Sequence, residues 1–235
     1  LCEAGRVNEL LEGSPFDYSK QCRLFLPVFL PPPESRDFNA ALSAMLAKLA
    51  VASQGRALVL YTSYAALSAG AAFLRKALAP EGIEVLAQGE DGSREALLSK
   101  LKAGGRSILL GTASFWEGVD VPGDALSMLV ITKLPFQVFT DPIIQGRCEL
   151  LEAQGKDPFL HFSVPNAILK LRQGFGRLIR TKTDRGVVVL CDKRVMTKRY
   201  GPAFLRALPS QARQSQDADR LAQEIHEFLA AKDVV

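Results

Sequence analysis

The sequence has 235 residues, 48% of them hydrophobic and 23% charged, which marks a globular chain and excludes disordered and low-complexity classes. The net charge of +4 is too mild to argue for a nucleic-acid partner by itself. The four cysteines (Cys2, Cys22, Cys148 and Cys191) form no Cys-x-x-Cys pair and have only His161 and His226 to join them, so no metal site is expected.

In chain order, Leu1 to Ser19 reads as a short helix and a loop. The opening residues show no initiator Met and no signal peptide, so the chain reads as a fragment. Arg23 to Phe29 is a strand that Pro31, Pro32 and Pro33 end in an extended linker. Leu42, Met45, Leu46 and Leu49 give Phe38 to Ser53 a helical stripe, stopped by Gly55. Ala57 to Tyr61 is an unbroken apolar strand, and Tyr64 to Leu78 a helix. The charge-free run Ala57 to Leu74 is long, but Tyr61, Thr62, Ser63, Tyr64, Ser68 and Gly70 interrupt it, so a strand and a helix explain it better than a membrane span. Strands follow at Ile83 to Leu86, Ser107 to Leu110, Ser127 to Thr132 and Gly186 to Cys191. Helices are expected from Ser93 to Lys102, from Asp141-Pro142 to Gly155 and from Val195 to Leu208, and the stretch from Val164 to Ile179 is expected to be mostly helical. Ser210 to Gln216 reads as a polar linker before a terminal helix with Leu221, Ile225, Phe228 and Leu229 on one side. Alternating strands and helices with near-continuous apolar strands predict an α/β fold, a parallel sheet with helices on both faces. Ligands in such folds bind beyond the carboxyl ends of the strands.

Several residues fall at those ends. Thr62 and Ser63 lie between a strand and a helix, where they either cap the helix or help its N–H groups hold a phosphate. Gln88-Gly89 ends the next strand, as a plain turn or a contact of the same kind. Thr112 and Ser114 end the one after. Phe115 and Trp116 are core residues or stack on bases. Between Pro165 and Arg206, eleven Lys and Arg face only Asp184 and Asp192, a local field that suits a polyanion or a solvated surface. Asp192 suits pairing with a nearby arginine. Gln173, Arg177 and Arg180 fall at helical spacing, beside Gly174 and Gly176 that give clearance. Two arginines and a glutamine match the oxygens of a phosphate, or form a solvated basic helix end.

The string Gln173-x-x-Gly176-Arg177-x-x-Arg180 resembles motif VI of superfamily 2 helicases. Gly111-Thr112-Ala113-Ser114-Phe115-Trp116-Glu117-Gly118-Val119-Asp120-Val121-Pro122-Gly123 resembles motif V of the DinG and XPD branch, and Leu60-Tyr61-Thr62-Ser63-Tyr64 its motif IV. Leu134-Pro135-Phe136, Asp184-Arg185-Gly186 and Tyr200-Gly201 also fall where DinG-like proteins have them, so the resemblance runs from about Ser14 to Pro209.

The resemblance implies a RecA-like fold and the second motor domain of a DNA helicase. It implies Arg177 and Arg180 as arginine fingers on the ATP γ-phosphate and Gln173 as the group that orients water or a phosphate oxygen. Gly118, Asp120 and Gly176 are expected on the ATP side, and Thr62, Ser63, Gln88, Thr112 and Ser114 on single-stranded DNA. The sequence holds no Gly-x-x-x-x-Gly-Lys-Ser/Thr and no Asp-Glu-Ala-His-type box. ATP with Mg²⁺ would therefore need the first RecA-like domain, and an iron–sulfur cluster would belong to that other part. The domain reading is residues 1–22 as a linker from that first domain, 23–209 as the RecA-like unit and 210–235 as a polar linker and helix. The whole protein is expected to be a cytoplasmic, nucleoid-associated bacterial helicase without a membrane segment. The rival readings are a DinG-type nuclease and a stand-alone nucleic-acid-binding module.

Overall fold

The computed structural model describes residues 14–116, 121, 125–137, 141–176, 178, 179 and 181–231. They form one sheet of seven parallel strands in the order β3-β4-β2-β5-β6-β1-β7. The strands are β1 (Cys22–Pro27), β2 (Ala57–Leu60), β3 (Glu84–Ala87), β4 (Ser107–Gly111), β5 (Met128–Ile131), β6 (Gly186–Leu190) and β7 (Ala212–Ser215). Each of β2, β4, β5 and β6 is buried along its whole length. That is why these strands read as continuous apolar runs, since both faces of a parallel sheet are covered.

Successive strand residues serve opposite faces. One face gathers Ala57, Val59, Ile108, Leu110, Val187 and Val189 under α2 (Phe38–Ala52), α3 (Tyr64–Leu78) and α9 (Ala218–Ala230). The other gathers Leu58, Leu60, Leu109, Leu129, Val188 and Leu190 under α4 (Arg94–Lys102), α6 (Val164–Phe175), α7 (Arg194–Thr197) and α8 (Gly201–Arg206). The remaining α-helices among the described residues are α1 (Tyr18–Gln21) and α5 (Pro142–Ala153). None of the described helices is long and apolar enough to cross a membrane.

Two expectations need correction. Ser210 to Gln216 is not a linker: Ala212–Ser215 forms β7, which pairs with β1, and Ser215 O accepts from Val28 N–H at 3.0 Å. An edge strand with exposed polar side chains carries no apolar pattern, so composition hid it. Val195 to Leu208 is two short helices, because Gly201 packs against the Val195 carbonyl and turns the chain. The stretch from Val164 to Ile179, expected to be mostly helical, is helix as far as Phe175, with Gly176 as its cap. Gly174 and Gly176 both weaken the helix there. Beyond them, Leu178 and Ile179 turn into the core, each at most 3% exposed.

α9 is part of the same body. Leu221 and Ile225 are fully buried on the α2 face. At the other end, Gln21 Nε2 donates to Thr181 O at 2.8 Å and Asp184 O at 2.9 Å, which ties α1 to the turn before β6.

Candidate nucleic-acid interface

Because all strands are parallel, the residues after β2, β3 and β4 emerge on one rim. Leu60 pairs with Gly111, and Ala87 with Leu110, so Thr62, Gln88 and Thr112 leave adjacent strands at nearly the same height. Gln88 organises this rim. Its Oε1 accepts from Thr112 N–H at 2.7 Å and from Thr112 Oγ1 at 3.0 Å. The backbone N–H can only donate, which fixes the orientation of the amide. Nε2 therefore faces outward and donates to Tyr64 Oη at 2.6 Å and Ser114 Oγ at 2.9 Å.

This wiring sets the direction of every proton on the rim. The Gln88 amide has used both donors, and the Tyr64 and Ser114 hydroxyls accept from it. Each hydroxyl has one proton, which is left to point outward. Ser63 behaves alike: its Oγ caps α3 by accepting from Ala66 N–H at 3.3 Å, so its proton also faces away from the protein. Thr62, Ser63, Tyr64 and Ser114 are all exposed. Arg94, the first residue of α4, donates from Nε to Ser114 O at 3.2 Å and lies over the Phe115 ring at 5.6 Å. The result is a line of outward hydroxyl donors beside a guanidinium and the N-terminus of α3, a surface complementary to phosphate oxygens.

Thr112 itself is 5% exposed and its hydroxyl donates to Gln88, so in this structure it braces the rim from beneath. Gln88 likewise has no donor left for a ligand. Phe115 and Trp116 are core residues, at 0% and 3% exposed. The clearance at Gly174 serves Trp116: a Cβ there would lie 3.1 Å from its Cζ3. Tyr64 and Arg94 were not singled out as rim contacts from the sequence. Arg94 did carry a signal, since a cation at a helix N-terminus opposes the helix dipole and calls for a reason outside the helix.

Of the residues expected on the nucleotide side, Gln173 and Gly176 are exposed at the end of α6. Arg177, Arg180, Gly118 and Asp120 lie outside the described residues. Asp192 pairs as expected. It is 1% exposed, accepts from Arg194 Nη2 at 2.6 Å and Nε at 2.9 Å, and also accepts from Leu134 N–H at 2.9 Å. The hydrogen bonding to the Asp192 carboxylate, first of all, holds the Arg194 pKa above its ordinary value. In the Asp184-Arg185-Gly186 string, Asp184 closes the turn by accepting from Thr181 N–H at 2.9 Å, and Arg185 lies over Phe228 at 4.5 Å. Burial pushes the Cys22 thiol up to about 12, so it stays protonated at neutral pH.

Comparisons with known proteins give the family and the fold. The helicase C-terminal domain family matches residues 46–211. The chain is 40% identical over 210 residues to the ATP-dependent DNA helicase YoaA of Haemophilus influenzae, covering 89% of this chain and 32% of that protein. It is 42% identical over 213 residues to the ATP-dependent DNA helicase DinG of Photobacterium profundum, covering 89% of this chain and 30% of that protein. The chain thus spans about a third of the length of these relatives. Among solved structures, its fold is similar to an XPD helicase at TM-score 0.61 and 20% identity, over 83% of this chain and 35% of that one. It is also similar to the C-terminal domain of the DEAD-box protein Dbp5 at TM-score 0.51 and 15% identity, over 90% and 99% of the two chains. The fold is RecA-like, and the chain belongs to the helicase C-terminal domain family.

Proposed function

We propose that the chain is the second motor domain of an ATP-dependent DNA helicase of the DinG type, moving 5′→3′ on single-stranded DNA in repair or replication. The observation that carries the strand side of this reading is the outward donor array of Ser63, Tyr64 and Ser114, set by Gln88. Its contacts suit a phosphate backbone and carry no sequence information. Thr62 extends the same edge, and Thr112 supports it.

The nucleotide side rests on the resemblance. Arg177 and Arg180 would stabilise charge on the γ-phosphate, Gln173 would orient water or a phosphate oxygen, and Gly118, Asp120 and Gly176 would border the cleft. The chain's own donors do not suffice for ATP with Mg²⁺. It has no phosphate-cradling glycine loop, and no group of three His, Cys, Asp or Glu that could hold a metal occurs among the described residues. The cleft would be completed by the first RecA-like domain, which would also hold any iron–sulfur cluster.

In the full-length protein, Arg180→Ala should remove most ATP turnover, since an arginine finger is worth about 10³–10⁵ in rate. DNA affinity without nucleotide should stay nearly unchanged. Arg180→Lys should rescue only part of the turnover, because lysine lacks the planar fork. Normal turnover with weakened DNA binding would move this segment to the strand groove. The second reading draws on the Bacillus subtilis relative named 3'-5' exonuclease DinG, 37% identical over 201 residues and covered over 22% of its length. ATP-independent strand degradation by the full-length protein, untouched by Arg180→Ala, would favour it.

A further inference from the structure

Tyr64 is the most exposed aromatic side chain among the described residues, at 57%, and it stands in the donor row of the rim. Its hydroxyl and that of Ser114 meet the same atom, Gln88 Nε2, so the tip of the ring belongs to that row and the body of the ring flanks it. Single exposed apolar residues are ordinary on a protein surface. Tyr64 differs in that its ring is held at the tip while most of it stays open to solvent. We propose that the Tyr64 ring is a platform on which one nucleobase stacks, from the strand whose phosphates lie on the rim. This inference rests on the strand reading given above.

The ring is held from both ends. Tyr64 is the first residue of α3, directly after Ser63, which caps the helix. At the tip, Oη accepts from Gln88 Nε2 at 2.6 Å. The turn that carries Gln88 is bonded to the same helix. Arg75 of α3 donates from Nη1 to Glu90 at 2.6 Å and from Nη2 to Asp91 at 2.7 Å, and Ser68 of α3 donates to Glu90 at 2.7 Å. Asp91 also accepts from Ala87 N–H at 2.7 Å, at the end of β3. Root and tip of the ring thus belong to one bonded unit, and a surface fixed in advance loses little freedom on binding. Gly89 adds no side chain beside the ring, where a Cβ would already touch Tyr64 Cε1 at 3.6 Å.

The chemistry favours a base over the other parts of a nucleotide. A nucleotide whose phosphate sits on Ser63 or Ser114 brings its base to the neighbourhood of the ring. A phosphate would meet the negative face of the ring, and a sugar has no flat face to lay on it. Every base has a π-face, so the stack adds affinity without reading sequence, as suits a protein moving along a strand.

The test compares the unaltered chain with Tyr64→Phe and Tyr64→Leu. Each is titrated with a single-stranded oligonucleotide and with an abasic strand of equal phosphate count, and affinity is read by anisotropy of an end label. The unaltered chain should bind the base-bearing strand about tenfold tighter than the abasic one. Tyr64→Phe removes a hydroxyl donor and keeps the ring, so both strands should weaken together and most of that ratio should stay. Tyr64→Leu removes the ring, so the ratio should fall to near one, with the melting temperature as the folding control. A fluorescent purine analogue in the strand should lose emission on the unaltered chain and on Tyr64→Phe, and keep it on Tyr64→Leu. Equal affinity of the unaltered chain for the two strands overturns the platform and leaves the rim intact. A ratio that survives Tyr64→Leu puts the base on another surface and overturns the platform as well. Failure of both strands to bind overturns the rim reading and the platform with it.

Discussion

Gln88 shows how a single side chain sets the chemistry of a surface. Its acceptor is spent on Thr112 and its donors on Tyr64 and Ser114, so the hydroxyl protons outside it face the ligand. Gln88→Glu tests this with the fold preserved. A carboxylate can still accept from Thr112, but its second oxygen draws the Tyr64 and Ser114 protons inward and adds a negative charge. Repulsion at roughly 4 Å is worth about 1 kcal/mol in water and about 4 kcal/mol near a protein surface. Single-strand affinity should fall at least about fivefold with the melting temperature little changed, and unchanged affinity would refute the donor array. Asp192 acts on the fold instead. Its side chain is fully buried and joins the ends of β5 and β6 through Leu134 and Arg194. Asp192→Ala should lower stability by about 3 kcal/mol, measured by urea denaturation, because it leaves a guanidinium and a backbone N–H without their acceptor. A loss below about 1 kcal/mol would contradict that role.

At the scale of elements, β7 and α9 belong to the RecA-like body. Leu221 and Ile225 are fully buried, and β7 covers one side of β1. Burial of each of these side chains is worth about 1.5–3 kcal/mol, against a total stability of about 5–15 kcal/mol for a domain. Truncation after Pro209 should therefore abolish a cooperative thermal transition or lower its midpoint sharply, and an unchanged midpoint would restore the linker reading. This region also shows what the sequence made legible. The buried strands were placed to within about two residues because their apolar runs are unbroken, as in Ala57–Leu60 and Gly186–Leu190. The edge strand Ala212–Ser215 was not, since three of its four residues are exposed. On the rim, Ser63, Gln88 and Ser114 were legible from their places after strands. Their hierarchy was not: that Gln88 organises and Thr112 supports depends on which atoms meet, and spacing carries no such information. Nor did Arg-x-x-Arg spacing show that α6 ends at Phe175, because the core contacts of Leu178 and Ile179 decide it.

At the scale of the molecule, the carboxyl-end rim of the sheet carries a row of outward donors, which the proposed function assigns to a nucleic-acid strand, and in that proposal the nucleotide side needs groups from another domain. The purified chain should not turn over ATP, since arginines cannot replace a phosphate cradle and Mg²⁺ ligands. Steady hydrolysis by the chain, blocked by Arg177→Ala, would overturn the half-motor account. The most direct measurement of the central claim is the affinity of the purified chain for single-stranded oligonucleotides of different sequence in rising salt. With two or so cations beside the strand, Arg94 among them, affinity should fall on the order of tenfold between about 50 and 200 mM salt, and it should vary little with sequence. No binding at low salt, or binding that is indifferent to salt, would contradict a rim built for phosphates.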